Sequence, residues 1–481
     1  MNLKRLILTA IVAFAASATA QNANLASVVD GVQNETAFKH ASLSVSVYNI
    51  TKNTSVYSHD AYRSISPASL NKLFTTALGF EKLGSNFRFK TTIAYSGTID
   101  SKGVLHGNIY IIGGGDPLLG SYRFRQTTPD SVFAAWKKAI VSQGIRSIDG
   151  RVCYDATIFD DQPLHDSWQW GDIGNYYSSG VCGLNFHENM YFLYFNPGAK
   201  LGYPATVAST SPAHLDVRNR NEVVTGGENS GDRVIVYGDP SSNVRHCRGS
   251  VPLGKANFPI RASLPKPAET CATQFSIYLR NNGVNVSSAV SEVFSRQEGT
   301  KTVLEYNSNT YYIIAQYTNL TSNNMYAESI FKYLGYKCYG KGSYANGAKA
   351  VNEFFKSHNL ESTGVRVVDG SGLSRLNRVT TDFVCRFLTE VSHMPIYSDF
   401  SMSLGKIGES GTVKNMLPNI PDNVDMRVKS GSMDDVRGYA GYVTTAKGEL
   451  LCFSVIANGY DCSGAQAKSK LEKIIYEIAK L

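Results

Sequence analysis

Alternation of apolar and polar positions is the first order visible along this chain. Between Ala41 and Ile50, Leu43, Val45 and Val47 alternate with Ser42, Ser44 and Ser46, a period of two that predicts a strand with one buried face. Ser55 to Ser58 follows closely enough to pair back as a hairpin, and Leu25 to Val32 ahead of it reads as a short helix. The period then lengthens. Leu70, Leu73, Phe74, Ala77 and Leu78 recur at helical spacing, Pro67 suits the approach to a helix start and Gly84 the end. From Phe87 to about Val251, strand-like runs such as Val104–Ile112 and Arg151–Tyr154 alternate with turns rich in Gly, Asn and Asp, and Asn219–Asp232 reads as an exposed loop. Helical patterning returns at Glu269–Asn282 and Met325–Leu334. Lys429–Val443 and Leu450–Ala457 read as strands, and Leu471, Ile474, Ile475 and Ile478 form one face of a last helix. Such a stripe packs on a core more often than on a membrane.

Composition adds limits. The chain has 481 residues, 43% hydrophobic and 18% charged, enough for two or three domains with cores of their own. Lys4 and Arg5, the apolar run Leu6–Ala16 and Ala18-Thr19-Ala20 form a secretory leader pattern over residues 1–20, so the mature chain is expected to begin at Gln21. Without Lys4 and Arg5 the formal charge falls from +8 to +6, a mild and scattered excess with no basic-aromatic run for nucleic acid. No later segment has an apolar run of spanning length, so no transmembrane segment is expected in the mature chain. The eight cysteines contain no CxxC; export permits disulfides, but their pairing stays open, and Cys385 and Cys452 fit buried thiols.

Three short motifs carry candidate chemistry. They are Ser69-Leu70-Asn71-Lys72, Ser322-Asn323-Asn324 and Lys429-Ser430-Gly431, in that order. Each alone is weak; the ordered set is the SxxK, SxN and KTG series of serine acyl-transfer enzymes. Ser69 and Lys72, three apart on a helix, project from one face, and dry surroundings would let the lysine act as a base. Ser322 and Asn324 precede a helical run, where a hydroxyl can relay a proton and an amide can grip a peptide bond, or where either can merely cap the helix. Gly431 lets another chain approach the strand backbone, beside Lys429 and Ser430, which suit a carboxylate. Gly-x-Ser-x-Gly and HExxH are absent.

With these motifs, the chain resembles the D-alanyl-D-alanine carboxypeptidase/endopeptidases among the low-molecular-mass class C penicillin-binding proteins. The resemblance also rests on Gly113-Gly114-Gly115-Asp116-Pro117, Trp168-Gln169-Trp170-Gly171-Asp172, Arg248-Gly249-Ser250-Val251-Pro252, Met325-Tyr326-Ala327-Glu328, Val368-Asp369-Gly370-Ser371-Gly372-Leu373-Ser374-Arg375 and Ser432. Departures are Ser430 where Thr is usual, Asn323 where Asp is common, and an atypical Tyr306–Gln316.

The resemblance implies an α+β fold. An antiparallel transpeptidase-like sheet flanked by helices would span residues 21–87 and 260–481, interrupted by β-rich inserted domains over 88–259. It implies that Ser69 attacks the carbonyl between two D-alanines, with Lys72 as base and Ser322, linked to Lys429, passing the proton to the leaving group. Asn324 would hold the stem peptide, Lys429 and Ser430 the terminal carboxylate, and the backbone N–H groups of Ser69 and Ser432 the oxyanion. No metal or organic cofactor is required. The expected partners are peptidoglycan stem peptides and, as covalent inhibitors, β-lactam antibiotics; the expected location is exported and periplasmic. Asp172, flanked by Trp168 and Trp170, is a candidate for recognising a cationic third stem residue, against the plainer reading of two Trp on one strand face. The alternatives are a serine β-lactamase, which lacks support from any Glu-x-x-Leu-Asn motif, and a non-enzymatic wall-binding protein on the same scaffold.

Overall fold

The computed structural model describes residues 23–213, 215–294 and 299–481. The leader over 1–20 and its cleavage at Gln21 lie outside them. The chain divides into two compact units, one of residues 1–84, 315–322 and 349–481, the other of 85–314 and 323–348. Residues 260–314 and 323–348 fall within the second unit.

The first unit is built on a six-stranded antiparallel sheet. Its strands are β1 (Ser42–Asn49), β2 (Thr54–His59), β3 (Gly405–Lys406), β4 (Asp425–Met433), β5 (Val436–Thr444) and β6 (Leu450–Asn458), in the order β3-β4-β5-β6-β1-β2. The expected run Lys429–Val443 is thus two strands turned at Asp434-Asp435, Asp435 having a positive φ of 59°. Leu43, Val45 and Val47 are fully buried against α1 (residues 23–33) and the C-terminal helix, whose Leu471, Ile474, Ile475 and Ile478 are also fully buried. This helix therefore packs on the core. The opposite face of β1 is covered as well: Ser44 Oγ lies 2.7 Å from Thr381 Oγ1, and Cys385 Sγ donates to the Ser46 carbonyl. The serines that suggested a solvent face are a hydrogen-bonded seam beneath the helix Thr381–His393.

That second layer also contains α2 (Lys72–Leu83), buried on nearly all sides. Phe74 meets Phe355, Phe383 and Phe387 edge-on at centroid distances of 4.8–5.8 Å. Its buried hydroxyls are satisfied: Thr75 donates to the Gly370 carbonyl and Thr76 to that of Lys72.

The second unit is β-rich, with sheets of five, four, three and three strands, and helices Pro129–Ser142, Pro267–Asn281 and Asn324–Tyr339. The run Val104–Ile112 breaks at Gly107, where a Cβ would lie 1.9 Å from the Ser96 carbonyl oxygen; Val104–His106 and Ile109–Ile112 belong to different sheets. Within the expected loop Asn219–Asp232, most of the first half is instead the strand Arg218–Gly226, parallel to Val244–Pro252. Only Val223 and Thr225 turn inward there, and the polar remainder concealed the period. Among the described residues, no helix is long and apolar enough to cross a membrane.

Candidate active site

Ser69 lies in a one-turn 3-10 helix, Ala68–Asn71, that runs directly into α2. A 3-10 turn brings positions i and i+3 onto one line. Lys72 Nζ accordingly stands 2.9 Å from Ser69 Oγ and also donates to the Ser371 carbonyl at 2.8 Å. Lys72 is fully buried and Ser69 half-buried, so the hydroxyl is reachable while the amine is kept dry.

The loop Asp369–Ser374 holds this turn in place. The Asp369 carboxylate accepts from the backbone N–H groups of Gly372 and Ser374 and from the Asn377 amide, at 2.7–2.8 Å. The loop's outward carbonyls then face the Ser69 turn and the start of α2: Asn71 donates to the Asp369 carbonyl at 2.6 Å and Thr75 to that of Gly370. The sequence reading quoted this stretch as a likeness without giving it a task.

Ser322 ends the helix Tyr311–Thr321 in a left-handed conformation, φ 55°. Asn319, three residues earlier, donates to Thr76 Oγ1 at 3.2 Å and Ser403 Oγ at 2.9 Å, which ties that helix to α2. The cap of the next helix is Asn323, whose side chain accepts from the Tyr326 N–H at 3.1 Å. Ser322 is thereby released from capping, and Asn323, passed over in the sequence, performs it.

Lys429 and Ser430 sit on β4. Lys429 is fully buried and donates to Ser322 Oγ at 2.9 Å and to the Ser430 carbonyl at 2.7 Å. Burial first, then the charge of Lys72, hold it well below the ordinary lysine range. Ser430 Oγ lies 2.7 Å from Thr412 Oγ1, a partner the sequence did not signal. At Gly431, a Cβ would stand 2.6 Å from the Pro67 carbonyl oxygen and 3.2 Å from Leu70, so this glycine admits the turn that holds Ser69 against the strand. β3 pairs with β4 only at Arg427 and Val428, and among the described residues no strand covers that edge from Lys429 onward, where Ser432 is exposed.

Ser69, Lys72, Ser322, Lys429 and Ser430 are thus linked within the first unit. Asn324 and Asp172 belong to the second. Asn324 donates to the Tyr177 carbonyl at 2.7 Å, and the Tyr177 phenol donates to Asp172 Oδ1 at 3.1 Å. The tryptophans do not share a strand face. Residues 168–172 form turns, with Trp168 buried at 5% exposure and Trp170 open at 61%.

The sequence profile of the D-Ala-D-Ala carboxypeptidase 3 (S13) family matches residues 22–480. The chain belongs to this family. It is 28% identical over 470 residues to the D-alanyl-D-alanine carboxypeptidase of Actinomadura sp., spanning 94% of this chain and 84% of that protein. It is 24% identical over 438 residues to the D-alanyl-D-alanine carboxypeptidase DacB of Haemophilus influenzae, spanning 89% and 87%. The crystal structure of penicillin binding protein 4 (dacB) from Haemophilus influenzae superposes with a TM-score of 0.79 at 21% identity, over 94% of this chain and 99% of that one. The fold is therefore the α+β penicillin-binding one, with β-rich insertion. The S13 family is one of serine-type peptidases, and the chain is an enzyme of that class.

Proposed function

We propose that the protein is a serine DD-peptidase that removes the terminal D-alanine from peptidoglycan stem peptides, cleaves D-alanyl cross-links, or does both, through an acyl-enzyme on Ser69. The single observation that supports this best is the paired hydroxyl-amine geometry, Ser69 with Lys72 and Ser322 with Lys429, each at 2.9 Å. Ser69 Oγ attacks the carbonyl carbon while its proton passes to the Lys72 amine, which lies within the reach that general-base catalysis needs. The peptide C–N bond then breaks, and the departing D-alanine nitrogen takes a proton through Ser322, which Lys429 supplies. Water attacks the ester next, its proton passing through Ser322 back to Lys429, and Lys72 returns its proton to Ser69 Oγ as the ester C–O bond breaks.

The backbone N–H groups of Ser69 and Ser432 serve as the oxyanion hole in this reading, a donor of this kind being worth about 2.7–4 kcal/mol in the barrier. Lys429 and Ser430 take the terminal carboxylate, Gly431 keeps the strand close to the nucleophile's turn, and Asn324 holds the stem. An entering carboxylate favours the charged form of Lys429. Asp172 is assigned to the cationic side chain of the third stem residue. β-Lactams carry an acyl group and a carboxylate in the same relation and acylate Ser69. The reading extends to an exported, periplasmic enzyme, consistent with the leader pattern and with a substrate that lies outside the cytoplasmic membrane.

The test is release of D-alanine from a stem pentapeptide. The native chain releases it, Ser69→Ala does not, and a long-lived penicillin adduct separates the peptidase from a β-lactamase. Rapid turnover of penicillin with no release of D-alanine would contradict the reading.

A further inference from the structure

The second unit contains a strained turn that the chemistry above does not use. His187, Glu188 and Asn189 are three consecutive non-glycine residues with positive φ, at 58°, 55° and 48°. Such a run persists only where its surroundings over-determine it, and strain of this kind concentrates at functional sites. The surroundings here are specific. Asn189 Oδ1 accepts from the Phe186 N–H at 2.9 Å, and its amide donates to the Gly180 carbonyl at 2.7 Å and to Asn185 Oδ1 at 2.6 Å. Asn185 in turn donates to Ser329 Oγ at 3.1 Å. The buried Glu188 accepts from Ser121 Oγ at 2.6 Å and pairs with Arg123 through both carboxylate oxygens, at 2.7 and 2.9 Å.

Both ends of this network reach one element, the helix Asn324–Tyr339. Ser329 is on it, and so is Tyr326, fully buried, which sets its phenol against Ser121, Arg123 and Glu188 without a well-aligned hydrogen bond. Asn324 opens the same helix, two residues before Tyr326. It is tied on its other side to the Tyr177 carbonyl. Residues 187–189 therefore reach the first two turns of the helix that presents the amide.

We propose that Glu188, through its pair with Arg123 and their contact with Tyr326, is a positioning residue that fixes the Asn324 amide for acyl transfer. The proposal rests on the reading of Asn324 as the group that grips the acyl donor. A buried carboxylate bridging Ser121 and Arg123 sets the depth at which Tyr326 seats, and a small error there carries directly to a residue half a turn away. Misplacement at this scale is costly to catalysis without disturbing the fold.

The experiment is a double-mutant cycle on the full chain, read as the second-order rate of acylation by benzylpenicillin. Glu188→Gln and Tyr326→Phe, each alone, are expected to slow acylation about tenfold, while Asn324→Ala slows it at least as much. In the Asn324→Ala background, adding either change is expected to slow acylation by less than twofold, since the group being positioned is gone. A similar loss in both backgrounds would show that the network acts on the fold at large and would overturn the proposal. So would unchanged acylation in both single variants. If Asn324→Ala alone acylates normally, Asn324 is not the grip, and the proposal falls while acylation at Ser69 stands. Tyr326→Phe removes one oxygen and keeps the packing, so the cycle can be completed if Glu188→Gln does not fold.

Discussion

A Cβ built on Gly372 would lie 1.9 Å from the carbonyl oxygen of Ala68, the residue immediately before Ser69. Both residues have positive φ, 85° for Gly372 and 47° for Ala68. The loop that receives Lys72 and Asn71 thus presses on the Ser69 turn at a point where only glycine fits. Gly372→Ala is expected to destabilise the protein by about 1–3 kcal/mol, as overpacking does, and to slow acylation sharply. Gly84, with φ 79° and open space around it, is the control. Gly84→Ala should cost about 1–3 kcal/mol from backbone strain alone, since φ 79° with ψ 156° lies in a region essentially confined to glycine, and leave acylation intact. Urea unfolding and penicillin acylation measure the two effects; equal acylation in both variants would contradict the account.

The burial of Lys429 has a consequence for stability against pH. Its folded value is pushed well below the ordinary lysine range, so between that value and about 10.4 the unfolded chain binds more protons than the folded one. Stability contributed by this group therefore rises with pH across that window. Lys429→Met should flatten the rise, as measured by urea unfolding at a series of pH values. An undiminished slope in Lys429→Met would assign it to other groups.

The same residue separates two roles. If Lys429 chiefly answers a carboxylate, Lys429→Ala loses far more activity than Lys429→Arg on substrates with a free terminal carboxylate. Arg cannot give up its proton, so equal losses would point to proton relay through Ser322 as the dominant role. Initial rates on a stem peptide with a free and with an amidated terminus distinguish the two.

Asp172 is tied to Asn324 through the two ends of Tyr177. Recognition of a cationic stem side chain predicts that Asp172→Asn costs about tenfold on a mimic with a free distal amine, in line with a lost charge-assisted hydrogen bond. It should cost little on the acetylated mimic. Equal loss on both would mark Asp172 as support for Tyr177.

Much of the fold was legible because its periods are local. β1, α2 and the C-terminal helix follow directly from alternation or helical spacing, and the three motifs lie on the element types expected of them. What stayed hidden depends on partners distant in sequence. Ser44 and Ser46 look solvated until the helix Thr381–His393 covers them. Thr412 meets Ser430 only through the folded sheet, and the part Asp369 plays is visible only once its loop reaches the Ser69 turn. The strand Arg218–Gly226 was concealed by its polar composition, and the plainer alternative for Trp168 and Trp170, a shared strand face, fails because a spacing of two carries no shared direction outside a strand.

The central claim is that Ser69 is the acylated residue, and intact-mass measurement after benzylpenicillin, followed by peptide mapping, tests it most directly. The account predicts a single penicilloyl adduct, located on Ser69 and absent from Ser69→Ala. An adduct on Ser371 or Ser374, or one that persists in Ser69→Ala, would contradict it.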